Sequence, residues 1–494
     1  MPLTWSTGTR LSGRDGVAAG CCVSLRNETF VKSTTARVRF PYAAAKSGVR
    51  VWVLGGKLAD SAAQRRADLA RVPGRKLSTC KGPDVNLKRI APAITALATV
   101  SLIAAGCSSD SGSDSDAAGT AATGDPIKVG QIVPIEAPGL GSVGYAASTV
   151  ASVDAFNARG GVNGRPLELI QCDSMGDPNK EVDCANKMVS EGAVATLADF
   201  TPASSEASSK ILFDAGIARV GLNPVNMADF TATNVYTPFS GSLLNLYGMI
   251  DMLVAQGKTK LSLMRPDLPV TAQLVGLLTP AVQAKGAEIV NDVAVGAGAT
   301  DYTQFIAAAE RNGADGVIMA LGASDANPIS QAFEQLGSTL TFALGTAGFT
   351  QADLQDLGTF ATSSTYTSPT PAPSSSTEDF PGLADFLADM EQSGKEELEL
   401  PNLNGDTVNP WLSVRAFGEV ATGLDEIDAK TVWGGFENAK NLDMAGLVPA
   451  WTPGDVEPFG IFQRVSNSMM YRMTFDGDVL VTDPTQYDLR TPTS

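Results

Sequence analysis

From Ile127 onward the sequence repeats one unit: a short apolar run, a longer segment with helical spacing, a glycine, and then the next apolar run. Ile127–Val133 reads as a strand. Residues 142–158 read as a helix with Val143, Ala147, Val150 and Ala151 on one side and Phe156 near its end, and Leu167–Ile170 as the next strand. The closing glycine recurs at Gly192 before Val194–Leu197, at Gly216, at Gly257 before Leu261–Met264, at Gly286, at Gly313 before Gly316–Met319, and at Gly337 before Leu340–Leu344. The residue just past a helix often turns left-handed, a conformation that Cβ penalises and glycine tolerates. Strand–helix units in series specify parallel sheets covered by helices on both faces, so the fold class is α/β. Roughly 370 residues of this pattern exceed what one core holds, which predicts two lobes.

Two stretches interrupt the pattern and are candidate crossovers: Tyr236–Ser240, and Ser363–Thr377 with Pro369, Pro371 and Pro373 among Ser and Thr. The C-terminal part differs. Met470–Phe475, Asp476-Gly477-Asp478 and Val479–Val481 read as an antiparallel hairpin, with Asp-Gly supplying the positive φ angles of its turn.

The segment before Ile127 divides at Cys107. Lys88 and Arg89 precede the mostly apolar run Ile90–Ala105, then Gly106 and Cys107, the layout of a secretory signal. The run is shorter than the ~20 residues that span a bilayer as a helix. A cysteine at the cut resembles the lipobox of bacterial lipoproteins, in which Cys107 is lipidated and becomes the mature N-terminus; Ala104 stands where Leu is commoner. Residues 85–106 are thus the expected signal peptide. Residues 107–124, rich in Gly, Ser and Asp, are an expected flexible tether. Residues 1–84 hold Cys21, Cys22 and Cys80 and no sustained period. They read as an upstream extension outside the native product, with Val85 as the true start, or as a disordered tail.

Charge and composition exclude several functions. Residues 1–84 carry 15 Lys+Arg against 5 Asp+Glu, whereas from Cys107 onward there are 19 basic and 48 acidic residues. So anionic a body has no means of neutralising phosphates, which argues against nucleic acid as a partner. The chain has no histidine. That removes Ser-His-Asp and Cys-His mechanisms and His-ligated zinc. The common hydrolases are thereby excluded, though not every enzyme; the reading reached below expects no cofactor, no metal and no catalysis.

Gly139-Leu140-Gly141-Ser142-Val143-Gly144 matches G-x-G-x-x-G, but the first glycine falls six residues past the strand, and Asp173 lies 29 residues beyond Gly144. A dinucleotide site places its acid about 20 residues on. The remaining reading is a loop whose N–H groups, at a helix start, face a ligand's oxygen. Thr201-Pro202 with Ser204 and Ser205 opens another helix, Thr201 as N-cap and Pro202 at N1, beyond the carboxyl end of a strand where α/β sheets bind ligands. The next such loop carries Asn223 and Asn226. Cys172 ends a strand, and Asp177-Pro178 starts a helix that carries Cys184 two turns in. They form either a helix-to-strand disulfide, the favoured reading, or two buried thiols.

Phe156-Asn-Ala-Arg-Gly-Gly-Val-Asn-Gly-Arg-Pro-Leu-Glu-Leu169 resembles the N-x-x-G-G-[I/V]-N-G signature of the substrate-binding lipoproteins of branched-chain amino acid (Leu/Ile/Val) type ABC transporters. The resemblance continues through Asp173, Asp177-Pro178, Gly216–Pro224, Thr300–Phe305 and Gly313–Val317, covering about Ile127 to Gly348 and the remainder loosely. It implies the type 1 periplasmic-binding-protein architecture, two Rossmann-like lobes with parallel-type sheets joined by three crossovers: 125–237 with about 370–455 as lobe 1, and 238–369 with about 456–490 as lobe 2. It also implies a monomeric receptor, lipid-anchored to the outer face of the bacterial membrane, that hands a small polar solute (amino acid, amide or organic acid) to an ABC permease. The resemblance carries the ligand's carboxylate to Gly139–Ser142 and Thr201–Ser205, with Asn223–Asn226 beside them. The lobe-2 loop Arg265–Thr271 lacks the aromatic of many amino-acid binders, which leaves amides, urea-like solutes and aromatic acids open. Asp267 and Asp325 are candidates for an ammonium. The competing readings are a solute sensor for a membrane receptor and a secreted oxidoreductase using the Gly-rich loop.

Overall fold

The computed structural model describes residues 121–137, 142–268, 271–355 and 357–491, together with the backbone of two short strands, Thr35–Arg37 and Trp52–Leu54, which pair antiparallel. The expected signal at 85–106, the expected lipidation site Cys107, Gly139–Gly141 and, apart from those two strands, the 1–84 extension lie outside the described residues.

The first sheet is built from β1 (Ile127–Val133), β2 (Leu167–Asp173), β3 (Ala195–Leu197), β4 (Ala218–Val220) and β5 (Val235–Tyr236). All pair in parallel, in the order β2-β1-β3-β4-β5. The second holds β6 (Lys260–Pro266), β7 (Glu288–Val295), β8 (Gly316–Met319), β9 (Thr341–Gly345) and β10 (Thr365–Ser368), parallel in the order β7-β6-β8-β9-β10. The two sheets therefore share one strand order. A small ribbon, β11 (Glu457–Phe459) with β12 (Phe462–Val465), follows, and then the hairpin β13 (Met469–Asp476) and β14 (Val479–Asp488) extends the second sheet antiparallel from β10.

Helices α1 (Val143–Ala158), α2 (Pro178–Glu191) and α3 (Ser205–Asp214) connect the first sheet. The second is served by α4 (Gly241–Ala255), α5 (Leu274–Ala284), α6 (Thr303–Arg311), α7 (Ala323–Leu336) and the short α8 (Gln351–Gln355) and α9 (Gly358–Ser363). The chain then returns to the first sheet as α10 (Gly382–Gln392), α11 (Gly405–Thr422) and α12 (Ala429–Asn438). Each sheet is apolar on both faces, as parallel sheets are. On the first, Val129, Leu197 and Val220 pack with Trp411 and Phe417, while Ile132 and Ile170 pack with Met188 and Leu212. On the second, Val317 and Phe342 pack with Ile329 and Phe360, and Leu261, Leu263 and Ile318 with Leu244 and Ile250. Asp389 ties these helices together, accepting from Arg159 Nη1 and Nη2 (2.5 and 2.9 Å) and from Trp411 Nε1 (2.7 Å).

The chain passes between the sheets across 237–240, returns across 369–381, and leaves again after Trp451, which lies in the core of the first sheet. The outermost two passages touch: Asn467 Nδ2 donates to Pro238 O at 2.7 Å and Ser466 Oγ to Thr237 O.

The glycines expected to end helices do so left-handed, with φ between 59° and 78° at Gly192, Gly216, Gly257, Gly286, Gly313 and Gly337. The Gly-Gly-Val-Asn-Gly signature is a backbone device. A Cβ on Gly161 (φ 57°) would lie 2.2 Å from Arg165 O, and Asn157 brackets Leu167, accepting its N–H at 2.7 Å and donating to its C=O at 2.9 Å. The motif thus sets where β2 begins.

Three local expectations need correction. The last residues of the expected tether are held, because Ala122 N donates to Asn157 O and Thr123 N and Gly124 N to Gly164 O. In the hairpin turn Asp476 pairs with Val479, so the two turn residues are Gly477 and Asp478, and Gly477 (φ 62°) supplies the positive angle. The Ser-rich helix starts at Ser205 with Ser204 as N-cap, three residues later than Thr201-Pro202 predicts. Two backbone N–H groups of that turn are engaged by a side chain from α2.

Candidate functional site

An open parallel sheet wound in the order 2-1-3-4-5 opens a crevice at its carboxyl edge, where the connections from its central strands diverge to opposite faces. Both sheets have that order here, and the loops at both carboxyl edges line one cleft of about 1110 Å³. The first sheet contributes Ile135–Ala137 after β1, the start of α1 from Ser142 to Tyr145, Phe200 after β3 and Asn223 after β4. The second contributes Gly322–Ser324 after β8 and Gly348 and Thr350 after β9. A third wall comes from far along the chain: Glu396, Glu397, Asn402, Asn404 and Asp406, leading into α11.

The cleft floor combines an apolar patch with orphaned polar atoms. Tyr145 packs with Val133, Ala146 and Ala198, flanked by Ile135 and Phe200. It is 6% exposed, and among the described residues its hydroxyl has no hydrogen-bond partner. Burial, with Asp406 and Asp199 adding to it, pushes the Tyr145 hydroxyl well above its ordinary pKa. Asn223 is held by its Oδ1, which accepts from Ser242 N and Oγ at 3.1 Å each; its Nδ2 has no protein partner among the described residues. Asn404 caps α11 by accepting Thr407 N at 3.0 Å, which fixes Asp406 in the first helical turn. Asp406 makes no ion pair among the described residues, and desolvation pushes its carboxyl up to about 6. A Cβ added to Gly348 would lie 3.5 Å from Asp406 Oδ2, so this carboxylate from the first-sheet side reaches the second-sheet loops.

Beneath the cleft lies a closed polar network. Arg219 and Asp199 are fully buried and paired, Nε to Oδ2 at 2.8 Å. Asp199 Oδ1 also accepts Ile132 N at 2.8 Å, and Asp199 Oδ2 accepts Thr196 Oγ1 at 2.6 Å. Arg219 reaches Ser209 Oγ (2.5 Å) and Thr201 Oγ1 (3.0 Å). Beside it Glu181, on α2, accepts Ala203 N at 3.1 Å and Ser204 N at 2.8 Å. Burial pushes Glu181 up to about 7 despite those two bonds.

Of the residues expected to meet a ligand, the structure brings Ser142 and Asn223 to the cleft. Gly139, Leu140 and Gly141 lie outside the described residues, next to Ser142. Thr201, Ser204, Ser205 and Asn226 are engaged internally. Thr201 takes Arg219, Ser204 N takes Glu181, Ser205 Oγ donates to Asp229, and Asn226 Nδ2 donates to Thr201 O at 3.1 Å. Asp267 is exposed at the end of β6, its N–H on Val295 O. Asp325 lies one residue past the cleft-lining Ser324 and accepts the Tyr302 hydroxyl at 2.5 Å. Cys172 and Cys184 are bonded. The residues that sequence reasoning missed are Tyr145, Phe200 and the acidic wall from Glu396 to Asp406. The capping pattern Asn404-Gly-Asp-Thr407 is visible in the sequence, but no local signal says that this turn faces a cleft formed by strands as far back as Ile127–Val133.

A family profile described as "Periplasmic binding protein" matches residues 126–460. A search of curated proteins finds no significant match. Among solved structures, the chain is similar to a solute-binding protein of an ABC transporter from R. palustris in complex with 4-hydroxybenzoate, at 15% identity and a TM-score of 0.60, covering 74% of this chain and 97% of that one. A possible leucine/isoleucine/valine-binding protein from Rhodopirellula baltica SH 1 matches at 15% identity and a TM-score of 0.60, over 77% of this chain and 100% of its own. A fatty acid ABC transporter substrate-binding protein from Thermomonospora curvata matches at 13% identity and a TM-score of 0.60, over 75% and 94%. At these identities the likeness is one of fold.

Proposed function

The chain belongs to the periplasmic binding protein family, and from that premise we propose that it is the solute receptor of an ABC importer, holding a small polar molecule between its two sheets and releasing it unaltered to a membrane permease. The observation that carries this reading is the shared cleft: two sheets of one strand order turn their carboxyl edges toward one space, and three chain passages join them. Such a body closes when a ligand binds the closed form better than the open one, by no more than that difference in affinity. The first-sheet elements with α10–α12 act as one lobe and the second-sheet elements with the C-terminal hairpin as the other. Asn223 bridges them through Ser242 at the start of α4. Ser142 and the N–H groups opening α1 face ligand oxygens, and Asn223 Nδ2 donates to one. Among the described residues no helix is long and apolar enough to cross a membrane; lipidation at Cys107 is the proposed anchor, with residues 107–121 as the leash.

Isothermal titration with a panel of amino acids, amides and organic acids tests this. The expected result is one-to-one binding of a restricted set, lost in Asn223→Ala, with the solute recovered unchanged. Turnover of any bound solute would overturn it.

A further inference from the structure

The charge of the cleft is one-sided. Glu136, Glu396, Glu397 and Asp406 all line it, and among the described residues no Lys or Arg does. None of the four carboxylates forms an ion pair among the described residues. At the end of β6, Arg265 is spent within the protein: it is buried and paired with Asp292 at 2.6 Å. Glu136 and Glu396 are exposed and largely screened, whereas Glu397 and Asp406 are partly buried, so a bound cation relieves repulsion chiefly at those two.

Two further features indicate what kind of cation fits. Tyr145 and Phe200 put aromatic surface on the same floor, and an aromatic face attracts ammonium and guanidinium groups. The Tyr145 hydroxyl, nine-tenths buried and without a partner among the described residues, is available to a ligand's polar atom. Among the described residues no three acidic side chains gather closely enough to cage a metal ion, which turns the reading from a divalent metal to an organic cation. The helix starts at Ser142–Gly144 and Gly322–Ser324 carry only partial positive charge, so they can take a ligand's neutral or anionic oxygen without reversing the sign of the site.

We propose that the solute carries a cationic nitrogen, an ammonium or guanidinium, held by Asp406 and Glu397 over the Tyr145–Phe200 floor, and that purely anionic solutes are excluded. This rests on the receptor reading above. It sets the chain apart from the fold relatives in complex with 4-hydroxybenzoate or named for fatty acid transport.

The test titrates the purified protein with L-arginine, agmatine, spermidine and choline on one side and 4-hydroxybenzoate, decanoate and acetamide, none of which carries a cationic nitrogen, on the other. The proposal expects binding among the first four, no binding of 4-hydroxybenzoate or decanoate, and at least a ten-fold loss of the bound cation's affinity in both Asp406→Asn and Glu397→Gln. Asp214→Asn, on the exposed face of α3, leaves affinity unchanged. Thermal unfolding of each variant without ligand separates lost binding from lost folding. Binding of the anionic or neutral solutes, unchanged or strengthened in Asp406→Asn, overturns the cation assignment and leaves the receptor standing. Binding of none of the seven counts against both.

Discussion

The Glu181 carboxylate of α2 accepts the backbone N–H of Ser204 at 2.8 Å, with Ala203 N on its other oxygen at 3.1 Å. The protein's own acid therefore sits where the start of a Ser-rich helix offers its free N–H groups to an anion. That contact is why Thr201–Ser205 serves the lobe's interior, and why the candidate ligand contacts concentrate on Ser142, Tyr145, Asn223 and Asp406. It also gives a pH signature. Burial raises the folded Glu181 to about 7 from 4.5. A raised acid contributes stability that is fully present below its unfolded pKa and lost as pH rises through the folded value. Between pH 4.5 and 7.5 the wild type should lose stability relative to Glu181→Gln, on the order of 3 kcal/mol at the upper end. Urea unfolding of the two proteins across that range checks it; a constant difference would contradict it.

Arg219→Ala should destabilise the chain by about 3–5 kcal/mol, because it strands the Asp199 carboxylate in a fully buried site. Chemical denaturation measures this. A loss below about 1 kcal/mol would mean that Asp199 finds another partner.

Cys172 and Cys184 are 12 residues apart in sequence and bonded. Closing so short a loop in the unfolded chain is worth about 3 kcal/mol. The double variant Cys172→Ala with Cys184→Ala should lose about that much, and added reductant should destabilise the wild type alone. Equal thermal unfolding of wild type with and without reductant would contradict it.

Asp406 becomes charged as pH rises through about 6. The groups that share its cleft are acidic or neutral: Tyr145 from α1, Glu396 and Glu397 from the approach to α11, Glu136 after β1, and Ser324 and Thr350 from the second sheet. A cationic solute should therefore bind more tightly at pH 7.5 than at pH 5, and Asp406→Asn should remove most of the difference. Calorimetric titration at both values settles the sign.

The fold was legible because its signals are local. Apolar runs of strand length and glycines past each helix located Ile127–Val133, Gly316–Met319 and the helix ends at Gly192 and Gly337 from neighbouring residues alone. Asp177 and Pro178 likewise marked the start of α2, where Asp177 accepts Asn179 N at 2.8 Å. The site was less legible because its membership depends on who else arrives. Thr201 and Ser204 look like ligand contacts until Arg219 and Glu181, from other elements, claim them. Asp406 looks like an ordinary first-turn acid until the return of the chain after β10 brings it over the first sheet. Spacing reports what a backbone can do, and tertiary packing decides which groups are left free to do it.

The central claim is that a small solute binds between the two sheets and leaves as it came. Native mass spectrometry of the protein with its solute, followed by denaturation and analysis of what is released, measures this directly. The account predicts one solute per chain, identical in mass and fragmentation to what was added and absent from the Asn223→Ala protein. A released molecule that differs from the one supplied, or equal retention by Asn223→Ala and wild type, would contradict it.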